Sequence, residues 1–235
     1  MRKPSGFGRT CIVTPTPALA HPGTRPTAAG ISFLAGIAFL VLLTLIHAIR
    51  PDVSPRWQTT SEYAVGGLGW LMVTAFLLSA VGYGALAVAL LAGPRQALTR
   101  AGAVILALAA AGTAVGGVFV TDPIDTPQDQ LSTSGTLHGL GAGLALMVLP
   151  VAALLVNLGL ARSGGPAVPG RLLRWTAALP LAALVMFLTA QAVLLGDDGF
   201  GPDVPIGWPE RILVLAYAGW QITVARVVAR RTARP

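Results

Sequence analysis

The chain has 235 residues, 54% of them hydrophobic and only 11% charged, with a mean hydropathy of +0.72. Soluble globular domains carry about a quarter charged residues, so this composition excludes an ordinary soluble domain and points to a chain that lives in lipid. The net charge of +7 would suggest nucleic acid in a soluble protein, but the arginines fall between apolar runs, where membrane topology puts them, and no nucleic-acid partner is expected.

Residues 1–27 carry Arg2, Lys3, Arg9 and Arg25, five prolines and no acid. They read as a flexible basic tail without the apolar stretch of a cleaved signal peptide. The lone Cys11 in that tail can form neither an internal disulfide nor a thiolate metal site. Six apolar runs follow, at about 28–49, 64–92, 101–120, 137–160, 173–196 and 208–228, each long enough to cross a bilayer as a helix. None alternates as a barrel strand would. The expected fold is therefore all-α, a polytopic bundle of six transmembrane helices over 28–228, closed by a basic tail at 229–235.

Charge in the connections sets the orientation. Thirteen of the sixteen basic residues fall in the two tails and in the connections after the second and fourth runs, while Arg50, Arg56 and Arg211 lie on the other side. Basic residues accumulate on the cytoplasmic face, so both termini are expected inside. All nine acids fall on the opposite, outer side: Asp52, Glu62, Asp122, Asp125, Asp129, Asp197, Asp198, Asp203 and Glu210. The bias toward Ala, Gly and Arg, with Lys3 the sole lysine, suggests a G+C-rich bacterial genome and hence the bacterial cytoplasmic membrane.

The inner connections LAGPRQALTRAG and ARSGGPAVPGR read as turns. The outer ones, IRPDVSPRWQTTSEY, TDPIDTPQDQLSTSGTLHG and GDDGFGPDVPIGWPER, are longer and rich in carboxylates and hydroxyls, the usual place for function on a rigid scaffold. Part of that polarity is punctuation: Thr60 or Ser61 can cap the second helix with Glu62 in its first turn, Ser134 or Thr136 can cap the fourth, and Pro209 suits the start of the sixth. The rest converges. His47, Glu62, Asp122, His138, Glu210 and Arg211 all lie within a turn or two of the outer boundary, and ionisable groups at that depth need a cavity or one another.

From this convergence we expect an outward-facing polar pocket built from Ser61, Glu62, Tyr63, Asp122, His138, Glu210 and Arg211. Adjacent on a helix, Glu210 and Arg211 diverge, so Arg211 needs another counter-ion, Glu62 or Asp122, or a lipid headgroup. Three uses compete for such a pocket. It can bind a small polar ligand or lipid headgroup; it can be a hydrolase or transferase site acting on lipids, with His138, Asp122 and Glu62 as the catalytic candidates; or it can be the outer end of a transport path. Whether the chain is an enzyme is left open. His47, Asp122 and His138 are residue types that suit a divalent metal, although no HxxxH or HExxH spacing supports a cofactor.

Within the spans there is no mid-membrane charge, which disfavours an ion-coupled pump. Gly112 with Gly116, and Gly139 with Gly143, form GxxxG steps expected to pack helices closely. The five tryptophans, Trp57, Trp70, Trp175, Trp208 and Trp220, mostly fall near span ends, as an interfacial belt would place them.

The ordered set RPDVSPRWQTTSEYA, GWLMVTAF, GGVFVTDP, GTLHG, LPVAALL and WPERILVLAY resembles the family of bacterial and archaeal membrane proteins known as domain of unknown function 998. The resemblance spans about residues 30–228. It is most specific at Ser61-Glu62-Tyr63, Thr121-Asp122-Pro123, His138 and Glu210-Arg211. It implies six spans and a lipid-bilayer setting, and supplies no activity, substrate or oligomeric state.

Overall fold

The structure, a computed structural model, describes residues 23–163, 170–196 and 199–232. It is helical, with six long helices: α1 (Thr24–Ile49), α2 (Gly69–Leu91), α3 (Ala97–Val118), α4 (Thr133–Arg162), α5 (Gly170–Leu194) and α6 (Gly207–Thr232). All six are long and apolar enough to cross a membrane. Large side chains such as Leu34, Trp70, Val104, Leu140 and Val193 are exposed around the bundle, as they must be where lipid is the solvent. The expected tail over 1–27 lies outside the described residues up to 22, as do Asp197 and Asp198.

Each helix packs on the next in sequence, and α6 returns to α1, so the six close into a ring. Successive helices run antiparallel. The α1–α2, α3–α4 and α5–α6 connections, with every described acid, therefore share one end, here the acidic end. The start of α1, the α2–α3 connection, the end of α4, the start of α5 and the end of α6 share the opposite, arginine end.

Lipid tails are as apolar as leucine, so helix association rests on close packing and interhelical hydrogen bonds. The α3–α4 seam illustrates the first. A side chain on Gly112 would meet the Gly141 carbonyl at 2.7 Å, one on Gly141 would meet Gly116 N at 2.8 Å, and Gly102 sits against Val156. The expected Gly139–Gly143 step has no such role: both glycines have open space beside them, and Gly141 between them makes the approach. The hydrogen bonds are equally local. Asn157 donates to the Leu173 carbonyl (2.7 Å) and Thr176 Oγ1 (2.9 Å) on α5 and accepts from Trp220 Nε1 (3.1 Å) on α6, while Gln221 donates to the Ser32 carbonyl on α1 (3.0 Å). Trp220 is thus a core residue, 2% exposed, rather than a member of an interfacial belt; Trp70, Trp175 and Trp208 are exposed near helix ends.

Several helix ends lie two to five residues from the expected bounds, α6 running to Thr232 into the expected tail, and two helix starts have a clear local cause. The second helix starts at Gly69, not 64, because Thr59 and Glu62 form a capping box that starts a separate 3-10 turn, Thr60–Ala64. Gly66, at φ +90°, then reverses the chain before α2, a conformation costly for any residue with a Cβ. Ser132, rather than Ser134 or Thr136, caps α4 by accepting from Gly135 N (2.9 Å). Pro150 lies within α4 and lacks the N–H that would bond the Leu146 carbonyl one turn earlier; that carbonyl accepts the Tyr217 hydroxyl of α6 at 2.7 Å instead.

Candidate functional site

At the acidic end the segment between α1 and α2 folds over the bundle, and four charged side chains hold it there. Arg50 donates to both Asp52 oxygens (2.7–3.0 Å) and to the Val65 carbonyl (3.0 Å). The hydrogen bond to Asp52 holds the guanidinium above its ordinary pKa, and Arg50 in turn holds the exposed Asp52 carboxyl below the usual carboxylate value. Glu62 closes its own turn by accepting from Thr59 N (3.0 Å) and Gln58 Nε2 (2.9 Å). It is 3% exposed, and burial raises its pKa against the lowering effect of those bonds.

From α6, Glu210 accepts from Thr60 Oγ1 (2.7 Å) and Thr60 N (3.2 Å), tying the 3-10 turn to the sixth helix. Its neighbour Arg211 points elsewhere, as adjacent helical positions must. Its Nη1 donates to the carbonyls of Gln58 (2.7 Å), Gly207 (3.0 Å) and Pro55 (3.3 Å), and its Nε donates to His47 Nε2 (2.8 Å). The expected ion pair with Glu62 or Asp122 does not form. Main-chain carbonyls and an imidazole take its place, and Tyr63 offers its ring face 5.7 Å away. Because an arginine nitrogen can only donate, His47 Nε2 is an acceptor, and Nδ1 must carry the proton it gives to the Leu43 carbonyl (2.6 Å). These partners assign His47 as the neutral Nδ1–H tautomer.

Asp122 is also structural: its Oδ2 accepts from Ser132 N (2.7 Å), and it lies so close to Gly135 that no side chain fits there. His138, one turn into α4, donates from Nδ1 to the Gly116 and Phe119 carbonyls (2.7 and 3.0 Å) at the end of α3, where helical carbonyls lose their intrahelical donors. Ser134 serves the Val120 carbonyl in the same way (2.8 Å). With Nδ1 committed, Nε2 of His138 has no hydrogen-bond partner among the described residues.

Below the 3-10 turn lies a cavity of about 160 Å³ to which all six helices contribute. Its acidic end carries Thr59, Thr60, Ser61, His138 and Glu210. Its walls are mainly apolar, with Phe39, Phe76, Phe187, Val214 and Leu146 among them; Ser79, Thr113 and Tyr217 also line it, and its deep end reaches Tyr83 and Leu149. From His138 to Leu149 along α4 is about 16 Å at 1.5 Å per residue, so the cavity runs to mid-bundle. Of the seven expected pocket residues, Ser61, His138 and Glu210 line it; Glu62, Tyr63, Asp122 and Arg211 support its roof and flanks. The metal candidates go to separate partners: His47 to Arg211, Asp122 to Ser132 and His138 to α3. Among the described residues no group of three His, Cys, Asp or Glu could hold a metal ion.

Sequence reasoning missed the aromatic walls and the Arg50 and Gln58 contacts. Phenylalanines inside a span look like any lipid-facing or core residue, and an arginine that bonds carbonyls leaves no partner to recognise in sequence.

No curated protein and no solved structure matches the chain. The model of one membrane-protein family, described as "Protein of unknown function (DUF998)", matches residues 33–227, nearly the whole helical bundle. The chain therefore belongs to the DUF998 family of membrane proteins.

Proposed function

We propose that the chain is a ligand-binding protein of the bacterial cytoplasmic membrane, with both termini inside and the central cavity reached from the outer face, and that it binds a small molecule with a polar head and a compact apolar body. The observation that carries this reading is the uneven polarity of the cavity: the Glu210 carboxylate and the His138 imidazole at one end, and mainly aromatic and aliphatic walls with a few hydroxyls beyond them. The volume bounds the ligand. An apolar cavity of about 150 Å³ holds benzene, so about 160 Å³ suits a body of that size and not a whole phospholipid headgroup with its chains. The orientation rests on the arginine count of the connections.

The orientation of His138 supports a second reading, a hydrolase or transferase, since a histidine ring held through Nδ1–H on carbonyls leaves Nε2 free for general acid–base work. Transport draws less support: beyond Leu149 the bundle is filled by Leu86, Leu106 and Val156, all buried.

The test uses 4-fluorobenzyl alcohol, followed by fluorine NMR on protein in dodecyl maltoside, against wild type and Val214→Phe. Saturable binding to wild type that Val214→Phe abolishes, at unchanged melting temperature, is the expected result. Equal signals from both proteins would show partition into the micelle and end the proposal. Hydrolysis of a lipid ester by wild type, lost in His138→Gln, would transfer the site to the second reading.

A further inference from the structure

A second cavity, of about 210 Å³, lies at the arginine end, where the start of α1, the α2–α3 turn, the end of α4 and the end of α6 meet. Arg25 and Arg231 both line it, together with Thr99, Ser163 and Pro94. Two guanidiniums facing one space repel each other, and nothing in the chain neutralises them: residues 1–51, 63–121, 130–196 and 211–235, which contain every segment at this end, hold no Asp or Glu. Arg231 spends one Nη2 donor on the Leu160 carbonyl (3.1 Å). Among the described residues, Arg25 Nε is buried with no partner, and so is the hydroxyl of Thr99, a residue only 5% exposed. Buried donors left unpaired lose the bonds they made to water and gain none in return, so a fold that retains two beside one cavity is incomplete without an acceptor.

We propose that this cavity binds a phosphate-class anion. The arrangement matches the chemistry of such a group: acceptor oxygens directed several ways at once, met by guanidinium N–H groups from two helices and a hydroxyl from a third. A carboxylate side chain of the protein would serve the same need, and the sequence places none here. Arg95 and Arg100, at the same end but exposed, show the contrast; they sit in the ordinary setting of arginines beside a membrane surface. The phosphate can come from a lipid headgroup, since the cavity is at a bundle end, or from solution.

The experiment compares melting temperatures in dodecyl maltoside, which carries no phosphate, on titration with inorganic phosphate at constant ionic strength and, separately, with phosphatidylglycerol. Wild type and the control Arg95→Gln/Arg100→Gln should be stabilised by at least one of the two. The pair Arg25→Gln/Arg231→Gln should lose the effect, with affinity falling roughly tenfold for each guanidinium removed. Stabilisation by inorganic phosphate identifies a soluble anion as sufficient; stabilisation by phosphatidylglycerol alone identifies the lipid. Thr99→Val covers the case in which the double variant does not fold. It should melt like wild type without anion, because its hydroxyl has no partner to lose, and bind the anion several-fold more weakly. No stabilisation of wild type by either compound overturns the proposal, as does equal loss in the Arg95/Arg100 control or undiminished affinity in Thr99→Val.

Discussion

Replacing Arg211 with methionine tests whether the roof of the central cavity is held by one cation. The change keeps a long apolar stem and removes the donors that reach Gln58 O at 2.7 Å and His47 Nε2 at 2.8 Å. The bond to Pro55 is long at 3.3 Å, and the Gly207 carbonyl belongs to the same helical turn. Counting the two strong bonds at about 1.5–3 kcal/mol each, a range typical of charged donors, gives roughly 3–6 kcal/mol. Against this, Arg211 Nη2 is itself buried without a partner among the described residues, and its removal returns about 1–3 kcal/mol. The net loss of about 2–3 kcal/mol corresponds to a fall of roughly 4–12 °C in melting temperature for a chain of this size. Lysine at 211 should recover less than half, because an ammonium cannot serve the imidazole and the carbonyls with the geometry of a planar fork. The assay is thermal unfolding in detergent, with maleimide labelling of Trp57→Cys in a Cys11→Ser background to report release of the segment. Arg56→Met, an exposed neighbour, is the control. Melting of Arg211→Met within about 2 °C of wild type, at unchanged labelling rate, would refute the clamp.

Two further outcomes follow from the same geometry. Gly141→Ala should destabilise by about 1–3 kcal/mol through overpacking against Gly112 and Gly116, whereas Gly139→Ala and Gly143→Ala, with open space beside them, should be neutral; equal melting temperatures across the three variants would refute the assignment of the seam. Burial raises the Glu62 pKa in the folded state, so its contribution to stability is fully present below the ordinary value of 4.5 and is lost as pH rises through the folded value. Wild type should therefore lose stability relative to Glu62→Gln as pH is raised from about 4.5 toward neutrality, and parallel melting curves over that window would exclude the effect. Asp52 does not confuse the comparison, because its lowered pKa confines its loss of stability to pH below 3.8.

The six helices were legible because a twenty-residue apolar run has few other uses. The ring order followed less directly, since near-uniform apolar helices carry little information about which face meets which neighbour. The candidate site was half legible. Ser61, His138 and Glu210 stood out as polar groups near a membrane boundary, and they do line one cavity. The same signal also collected Glu62, Asp122 and Arg211, because a carboxylate that caps a turn or a guanidinium that bonds carbonyls has the same sequence appearance as one that faces a ligand. Helix two was placed five residues early for a related reason: Thr60 or Ser61 with Glu62 reads as its cap, whereas the start signal, at Thr59, belongs to the short turn Thr60–Ala64.

The bond between Tyr217 and the Leu146 carbonyl makes one main-chain acceptor of α4 the responsibility of α6. A sliding or rotating α6 would strand that carbonyl in apolar surroundings, at a cost on the order of several kcal/mol. Pro150 thus converts a local defect into a registration pin between two helices not adjacent in the ring. Since both Tyr217 and Leu146 border the central cavity, the pin sits where an occupant would press. Phenylalanine at 217 would keep the packing and remove the pin, leaving two helices of the right shape without a fixed alignment.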